Sequence, residues 1–352
     1  MRSTGNTVLI LVGSILAVPA SAAQFHLGDV FAAVGDADLD GQAEIFHYRA
    51  DGTFVETLQF GSGIDGRSTG MAFDAEGNLL ATALDRSKIL RFDNHGNNLG
   101  VFIGSGLSFP ECIVFDSSGD FYVSSVLNPV GIKKFDAEGD PLAQLTPGTR
   151  VDWMDLAADQ RTMLFTSETN PILSLDVSQP DGIGHLVTTD GTVFALRFLL
   201  DGRILVANKA NIKLLSSTGE IVRTYDVARE DLWFAVNLDP DGRSFWSGNI
   251  ETGRIFKFDI GCGGAANCAT FTQMIATGVP TEQPTRALAG VAIYGELTAT
   301  RPDRPPALPT PELGRVVVPR LVPARPLEGS VTRLNASAMI GRCPSGSSCL
   351  AR

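Results

Sequence analysis

The sequence repeats itself, and that repeat constrains the fold more than any other feature. A segment reading GMAFDAEGNLLATAL from Gly70 recurs as CIVFDSSGDFYVSSV from Cys112, MDLAADQRTMLFTSE from Met154, LRFLLDGRILVANK from Leu196 and VNLDPDGRSFWSGN from Val236. Anchored on Phe73, Phe115, Leu156, Phe198 and Leu238, the steps are 42, 41, 42 and 40 residues. A sixth copy, GVAIYGE, anchors on Ile293 after a step of 55 residues that contains Cys262 and Cys268. A period of this size means that each unit is one supersecondary element that cannot bury its apolar face alone, so neighbours must stack.

A second element follows each first one, starting at Lys88, Gly131, Ile172, Ile212 and Arg254, and its sixth copy stands at the opposite end of the chain, from Glu44. Both elements alternate apolar residues in short runs broken by D-x-x-G or D-G turns, the pattern of strand, hairpin, strand. Together they predict a four-stranded unit. The chain starts with three strands (Val30 to Val34, Glu44 to Arg49, Thr53 to Leu58) and ends with one inner strand near Gly290 to Glu296. Joining the two ends completes a sixth unit and leaves no free sheet edge. The expected fold is all-β: a six-bladed β-propeller closed by a C-terminal inner strand that joins an N-terminal partial blade. The 37 Gly and 19 Pro, spread along the chain, agree with many tight turns and exclude a helical bundle.

The chain carries 28 Lys and Arg against 39 Asp and Glu, a net charge of −11. Such a surface repels phosphate, so neither nucleic acid nor an anionic membrane is an expected partner. Met1-Arg2, an apolar run from Val8 to Val18 and the small residues after Pro19 read as a secretory signal peptide over residues 1–23. No later segment is apolar for the length a membrane helix needs. The expected product is an exported monomer, secreted or periplasmic, with a propeller over residues 24–298. From residue 299 to 352 the chain turns Pro- and Arg-rich, and a disordered tail is expected there. An oxidising compartment favours disulfides Cys262–Cys268 and Cys343–Cys349, leaving Cys112 as a buried thiol; the spacing does not match a zinc site.

The repeated pattern, a hydrophobic run with F-D-x-x-G and then [V/A]-[S/T/N], resembles the six-bladed propellers of the NHL-repeat, regucalcin/gluconolactonase and streptogramin B lyase superfamily. It spans Phe25 to Leu297. The resemblance implies a functional site on the propeller axis, built from residues just before each inner strand and just after each second strand. The first set is Thr69, Glu111, Asp152, Phe194, Phe234 and Ala289; the second includes Asp85, Asn128, Glu168, Asn208 and Asn249. Gluconolactonase-like enzymes hold a divalent metal there with Glu, Asn and Asp. Glu111 matches the Glu and Asp152 the Asp, whereas no Asn is supplied and Phe194 and Phe234 place rings at these positions. The lyase type needs a His and Glu pair on this face, and His185 is expected in an outer turn.

Two further motifs bear on cofactors. Asp36, Asp38, Asp40, Gln42 and Glu44 alternate around Gly41 in a loop similar to the D-x-D-x-D-G loops of integrin-type propeller repeats, and calcium is one reading. An acidic hairpin with turn-forming Asp and Gly is the other. Gly66-Arg67-Ser68-Thr69-Gly70 matches G-x-S-x-G, but a loop precedes the Ser and a strand is expected after it, so it reads as a chance match. No nucleotide motif is present, and neither haem nor flavin is expected. The expected function is binding of a small ligand or protein at one face of the axial funnel, lined by Asp85, Asn128, Glu168, Phe194, Asn208, Phe234 and Asn249. A hydrolase or lyase using Glu111, Asp152 and calcium or another divalent metal is the alternative, and a structural surface module the third.

Overall fold

The structure, a computed structural model, describes residues 23–145, 148–179, 182–279 and 287–300. The signal segment before Ala23, the Cys343 and Cys349 pair and the tail from residue 301 lie outside these described residues. The chain divides into a unit Met1–Ala307 and a second, Leu308–Arg352, which also lies outside them.

Among the described residues, six antiparallel sheets follow one another. Blade I joins the last strand, Leu288–Ile293, to Val30–Val34, Glu44–Tyr48 and Phe54–Gln59. Blade II is Met71–Phe73, Leu79–Ala83, Lys88–Phe92 and Asn98–Ile103. Blade III is Pro110–Phe115, Phe121–Ser125, Gly131–Phe135 and Pro141–Leu145. Blade IV is Met154–Leu156, Thr162–Phe165, Pro171–Asp176 and Ile183–Thr188. Blade V is Val193–Phe198, Ile204–Asn208, Ile212–Leu215 and Ile221–Tyr225, and blade VI is Trp233–Leu238, Ser244–Asn249, Arg254–Asp259 and Gln273–Ala276. The expected closure is present: Val30 stands opposite Ile293 and Ala33 opposite Gly290.

Inner strands are buried on both faces because each is sandwiched between neighbouring blades, which is why Pro110–Phe115 and Trp233–Leu238 read as near-continuous apolar runs. The outermost strands face solvent, as Pro141–Leu145 does, exposed at all but its last residue. Turns between strands are set by side chains: Asp74 Oδ1 accepts the amides of Glu76 at 3.0 Å and Asn78 at 2.8 Å, which holds the D-x-x-G hairpin shut.

Two glycines set the distance between blades. A Cβ on Gly70 would lie 2.3 Å from the Glu111 carbonyl oxygen, and one on Gly290 would lie 1.9 Å from that of Thr69. Inner strands of adjacent blades therefore pack backbone against backbone near the axis.

The 55-residue step has a structural role. Its insertion closes the Cys262–Cys268 disulfide and lays Asn267–Cys268 parallel to Ile221–Tyr225, as a fifth strand on blade V. A segment leaving blade VI thus covers the edge of blade V. Cys112 is the free, buried cysteine expected, and burial pushes its thiol up to about 12, so it is inert at neutral pH. Just past the expected propeller boundary at residue 298, Ala299 and Thr300 are buried, and Thr300 Oγ1 donates to the Phe115 carbonyl at 2.9 Å.

Candidate functional site

The starts of the inner strands of blades III, V and VI are distorted in a repeated way. Register slips between Pro110 and Ile113 in blade III, between Val193 and Ala195 in blade V, and between Trp233 and Ala235 in blade VI. These bulges make Glu111, Phe194 and Phe234 part of the strands rather than residues that precede them. A bulge re-aims a side chain that regular pleating would send into the sheet stack.

Hydroxyls on or beside the first two strands of the preceding blade hold these starts in place. Ser124 Oγ accepts the Cys112 amide at 2.9 Å and donates to the Asp152 carbonyl at 3.1 Å. Thr166 Oγ1 accepts the Trp153 amide at 3.2 Å and donates to the Phe194 carbonyl at 2.8 Å. In blade II the Thr69 hydroxyl donates to the Glu111 carbonyl at 3.1 Å. Blades II, III and IV therefore each position the axial residue of the next.

Three carboxylates meet at this end of the axis. Glu111, Asp152 and Glu168 each place an oxygen within 4.8 Å of the others. Glu111 and Asp152 are the pair that the repeat alignment brings together, and their carboxyl oxygens come within 4.8 Å of each other. Burial, with the charges of Asp152 and Glu168, pushes the Glu111 carboxyl well above its ordinary value. Burial also lifts Asp152 to about 6, against the opposing pull of Arg150. Both shifts have one cause: burial beside like charge makes ionising both carboxyls costly.

Arg150 and Arg67 were not anticipated. Arg150 grips Asp152 through Nε at 2.9 Å and Nη2 at 2.6 Å, and reaches Glu168 Oε2 at 2.6 Å with the same Nη2. It stands two residues before Asp152, in the loop that leads to Met154–Leu156, and that closeness in sequence was the available signal. Arg67 pairs with Asp85, Nη2 to Oδ1 at 2.7 Å, and its charge acts on Glu111 and Glu168. Glu168 sits at φ 51 in the left-handed region, a conformation that costs a non-glycine residue about 1–3 kcal/mol.

The other expected funnel residues divide. Phe194 and Phe234 pair, with ring centroids 5.5 Å apart, and form an apolar wall. Asn208 and Asn249 end their second strands and cap the loops that follow: Asn208 Oδ1 accepts the Ala210 amide at 2.8 Å, and Asn249 Oδ1 accepts that of Glu251 at 2.9 Å. Their buried Nδ2 atoms have no protein partner among the described residues. Asp85 is committed to Arg67, and Asn128 is exposed. His185 lies in the outermost strand of blade IV rather than in a turn, opposite Leu173.

Away from the axis, Asp36, Asp38 and Asp40 also converge. Their carboxylates accept turn amides, Gly41 to Asp36 at 3.1 Å and Gln42 to Asp40 at 2.9 Å. Glu44 turns inward to Gln59 at 2.8 Å, and Gln42 Nε2 donates to Asp40, so neither joins the cluster of three. Ser68 in the G-x-S-x-G match is fully buried and followed by the strand Met71–Phe73, so it forms no nucleophile elbow.

No protein-family model and no curated protein matches the chain. Solved structures do. A chain of a nidogen/laminin complex aligns with a TM-score of 0.59 at 16% identity, over 76% of this chain and 98% of that one. A gluconolactonase from Xanthomonas campestris aligns with a TM-score of 0.51 at 12% identity, over 64% and 84%. At these identities the likeness establishes the propeller fold and leaves the superfamily open.

Proposed function

We propose that the end of the axis where the inner strands start binds a small, oxygen-rich ligand together with a divalent cation held by Glu111, Asp152 and Glu168. The convergence of these three carboxylates within 4.8 Å carries the proposal. Three acids against Arg150 leave a local excess of negative charge, and hard oxygen donors suit calcium or a similar ion. Arg150 occupies the space between Asp152 and Glu168. It must release at least one of them for a cation to enter, and it is then free to pair with an anionic or carbonyl group on the ligand. Phe194 and Phe234 supply the apolar side of the site. Export, supported by the signal sequence and the Cys262–Cys268 disulfide, would expose this site to extracytoplasmic calcium.

A second reading is favoured by one observation. Burial raises both carboxyls, Asp152 to about 6, and a carboxyl pair poised near neutral pH serves as general acid and base. Hydrolysis of a lactone, the activity named for the Xanthomonas neighbour, fits that chemistry; a bound cation would polarise the carbonyl. Elemental analysis of purified protein, then a lactone-hydrolysis screen with and without chelator, separates the two. Stoichiometric metal without turnover supports binding, chelator-sensitive turnover supports the hydrolase, and absence of both metal uptake and turnover removes each reading.

A further inference from the structure

The opposite end of the axis holds a cavity of about 420 Å³. It opens where the inner strands finish: Phe73 and Phe115 are the last residues of Met71–Phe73 and Pro110–Phe115, and Tyr294 follows Leu288–Ile293. Glu111 and Asp152 stand at the starts of such strands, so this cavity is separate from their cluster.

Its walls are aromatic. Phe73 meets Tyr294 edge to face at 5.0 Å, and Phe25 and Phe31 back the pair, Phe31 at 5.2 Å from Phe73 and Phe25 at 5.8 Å from Tyr294. Phe115 lines the same space from blade III. The rings are thus fixed by packing before any ligand arrives.

Its floor is charged. Arg197, 4% exposed, contacts Glu296 at 3.0 Å and Asp155 at 3.4 Å. Two buried or half-buried carboxylates share one guanidinium, and Asp74 at the wall is already paired with Arg91 at 2.6 Å. Glu296 is well satisfied, since it also accepts the Leu238 amide at 2.7 Å and Asn237 Nδ2 at 3.1 Å. Asp155 has the Phe198 amide at 2.7 Å, a backbone hydrogen bond at Leu156 and the long contact to Arg197. Two carboxylates against one guanidinium leave the floor with an excess negative charge, beside aromatic faces that are themselves electron-rich.

We infer that this lower cavity binds a small organic ammonium ion with an apolar body. Ring faces and a floor with one carboxylate in excess attract a weakly hydrated cation, repel an anion, and gain less from a neutral molecule of equal shape. The volume falls within the range of pockets that enclose small organic ligands.

An NMR titration of the whole protein with three probes tests this: phenyltrimethylammonium, its uncharged isostere tert-butylbenzene, and the anion 4-tert-butylbenzoate. The cation is expected to bind at least about tenfold more tightly than the isostere, and the anion not at all. Asp155→Asn should weaken the cation by about tenfold and leave the isostere unchanged. Ala75→Trp, on the exposed rim, should block both while leaving divalent-cation uptake at the other end of the axis intact. Should Asp155→Asn fail to fold, Ala75→Trp still locates the site and the isosteric pair still reads the charge. Equal affinity for cation and isostere, no binding of the cation to wild type, or binding indifferent to Ala75→Trp would overturn the inference.

Discussion

Arg150 Nη2 lies 2.6 Å from Glu168 Oε2 and, with the same nitrogen, 2.6 Å from Asp152 Oδ1. One guanidinium therefore ties the loop before the inner strand of blade IV to the loop after its second strand. It also stands in for the positive charge that the carboxylate cluster demands. Replacing it by an uncharged side chain of similar length, Arg150→Met, removes the competitor for a cation. Divalent-cation affinity should rise by about tenfold, and the Asp152 carboxyl should titrate above 6, because the charge that pulls it down is gone. Calorimetry and carboxyl-carbon NMR measure the two effects.

Stability should depend on pH with a definite sign. Burial raises Glu111, and raises Asp152 and Asp155 to about 6 each, whereas in the unfolded chain such groups titrate near 4. Between those values the folded state holds more protons than the unfolded one, so stability is greatest at the low end and falls as pH rises toward 6. Lowered carboxylates such as Asp176, at about 2, act only in more acidic solution. Metal-free protein should melt higher at pH 5 than at pH 7, with a shallower slope in Glu111→Gln. A melting temperature that rises from pH 5 to pH 7 in chelator would contradict the burial of these groups.

Inter-blade spacing is open to a one-carbon test. Gly70→Ala places a Cβ against the Glu111 carbonyl, and the blades must separate or Glu111 must shift. A loss of about 1–3 kcal/mol is expected, with weaker cation binding. Gly290→Ala acts at the closing seam and should cost at least as much, without a direct effect on Glu111. Chemical denaturation gives the first quantity and calorimetry the second.

Removing the staple on blade V should be milder than breaking the ring. Cys262→Ser opens a loop of six-residue separation, and the loss expected from chain entropy is about 2 kcal/mol. Thiol labelling of the native wild-type protein should leave Cys112 unmodified until unfolding. Labelling of Cys112 in the native state would contradict its burial.

The architecture was legible because a propeller is written locally: every blade repeats the same hairpins, and the half-units at the two ends, Val30–Val34 and Leu288–Ile293, complete each other in only one way. Glu111 and Asp152 were legible for the same reason, as equivalent positions in adjacent repeats. What crosses between blades was not. Asn267–Cys268 adds to a sheet that precedes it by about one repeat, and no local pattern marks that parallel pairing. Arg150 and Arg67 take their roles from partners on other strands and loops, and the caps formed by Asn208 and Asn249 depend on loop geometry that residue type alone does not specify. The lower cavity depends on Glu296 and Thr300, beyond the last repeat.

The central claim is that Glu111, Asp152 and Glu168 act as one cation site. Calorimetric titration of chelator-treated protein with calcium and manganese, comparing wild type with Glu111→Gln at pH 7, tests it most directly. The account predicts one saturable axial site in wild type for at least one of these ions, its loss in Glu111→Gln, and nearly unchanged melting temperatures for the two metal-free proteins. Equal uptake by both proteins, or uptake by neither, would contradict it.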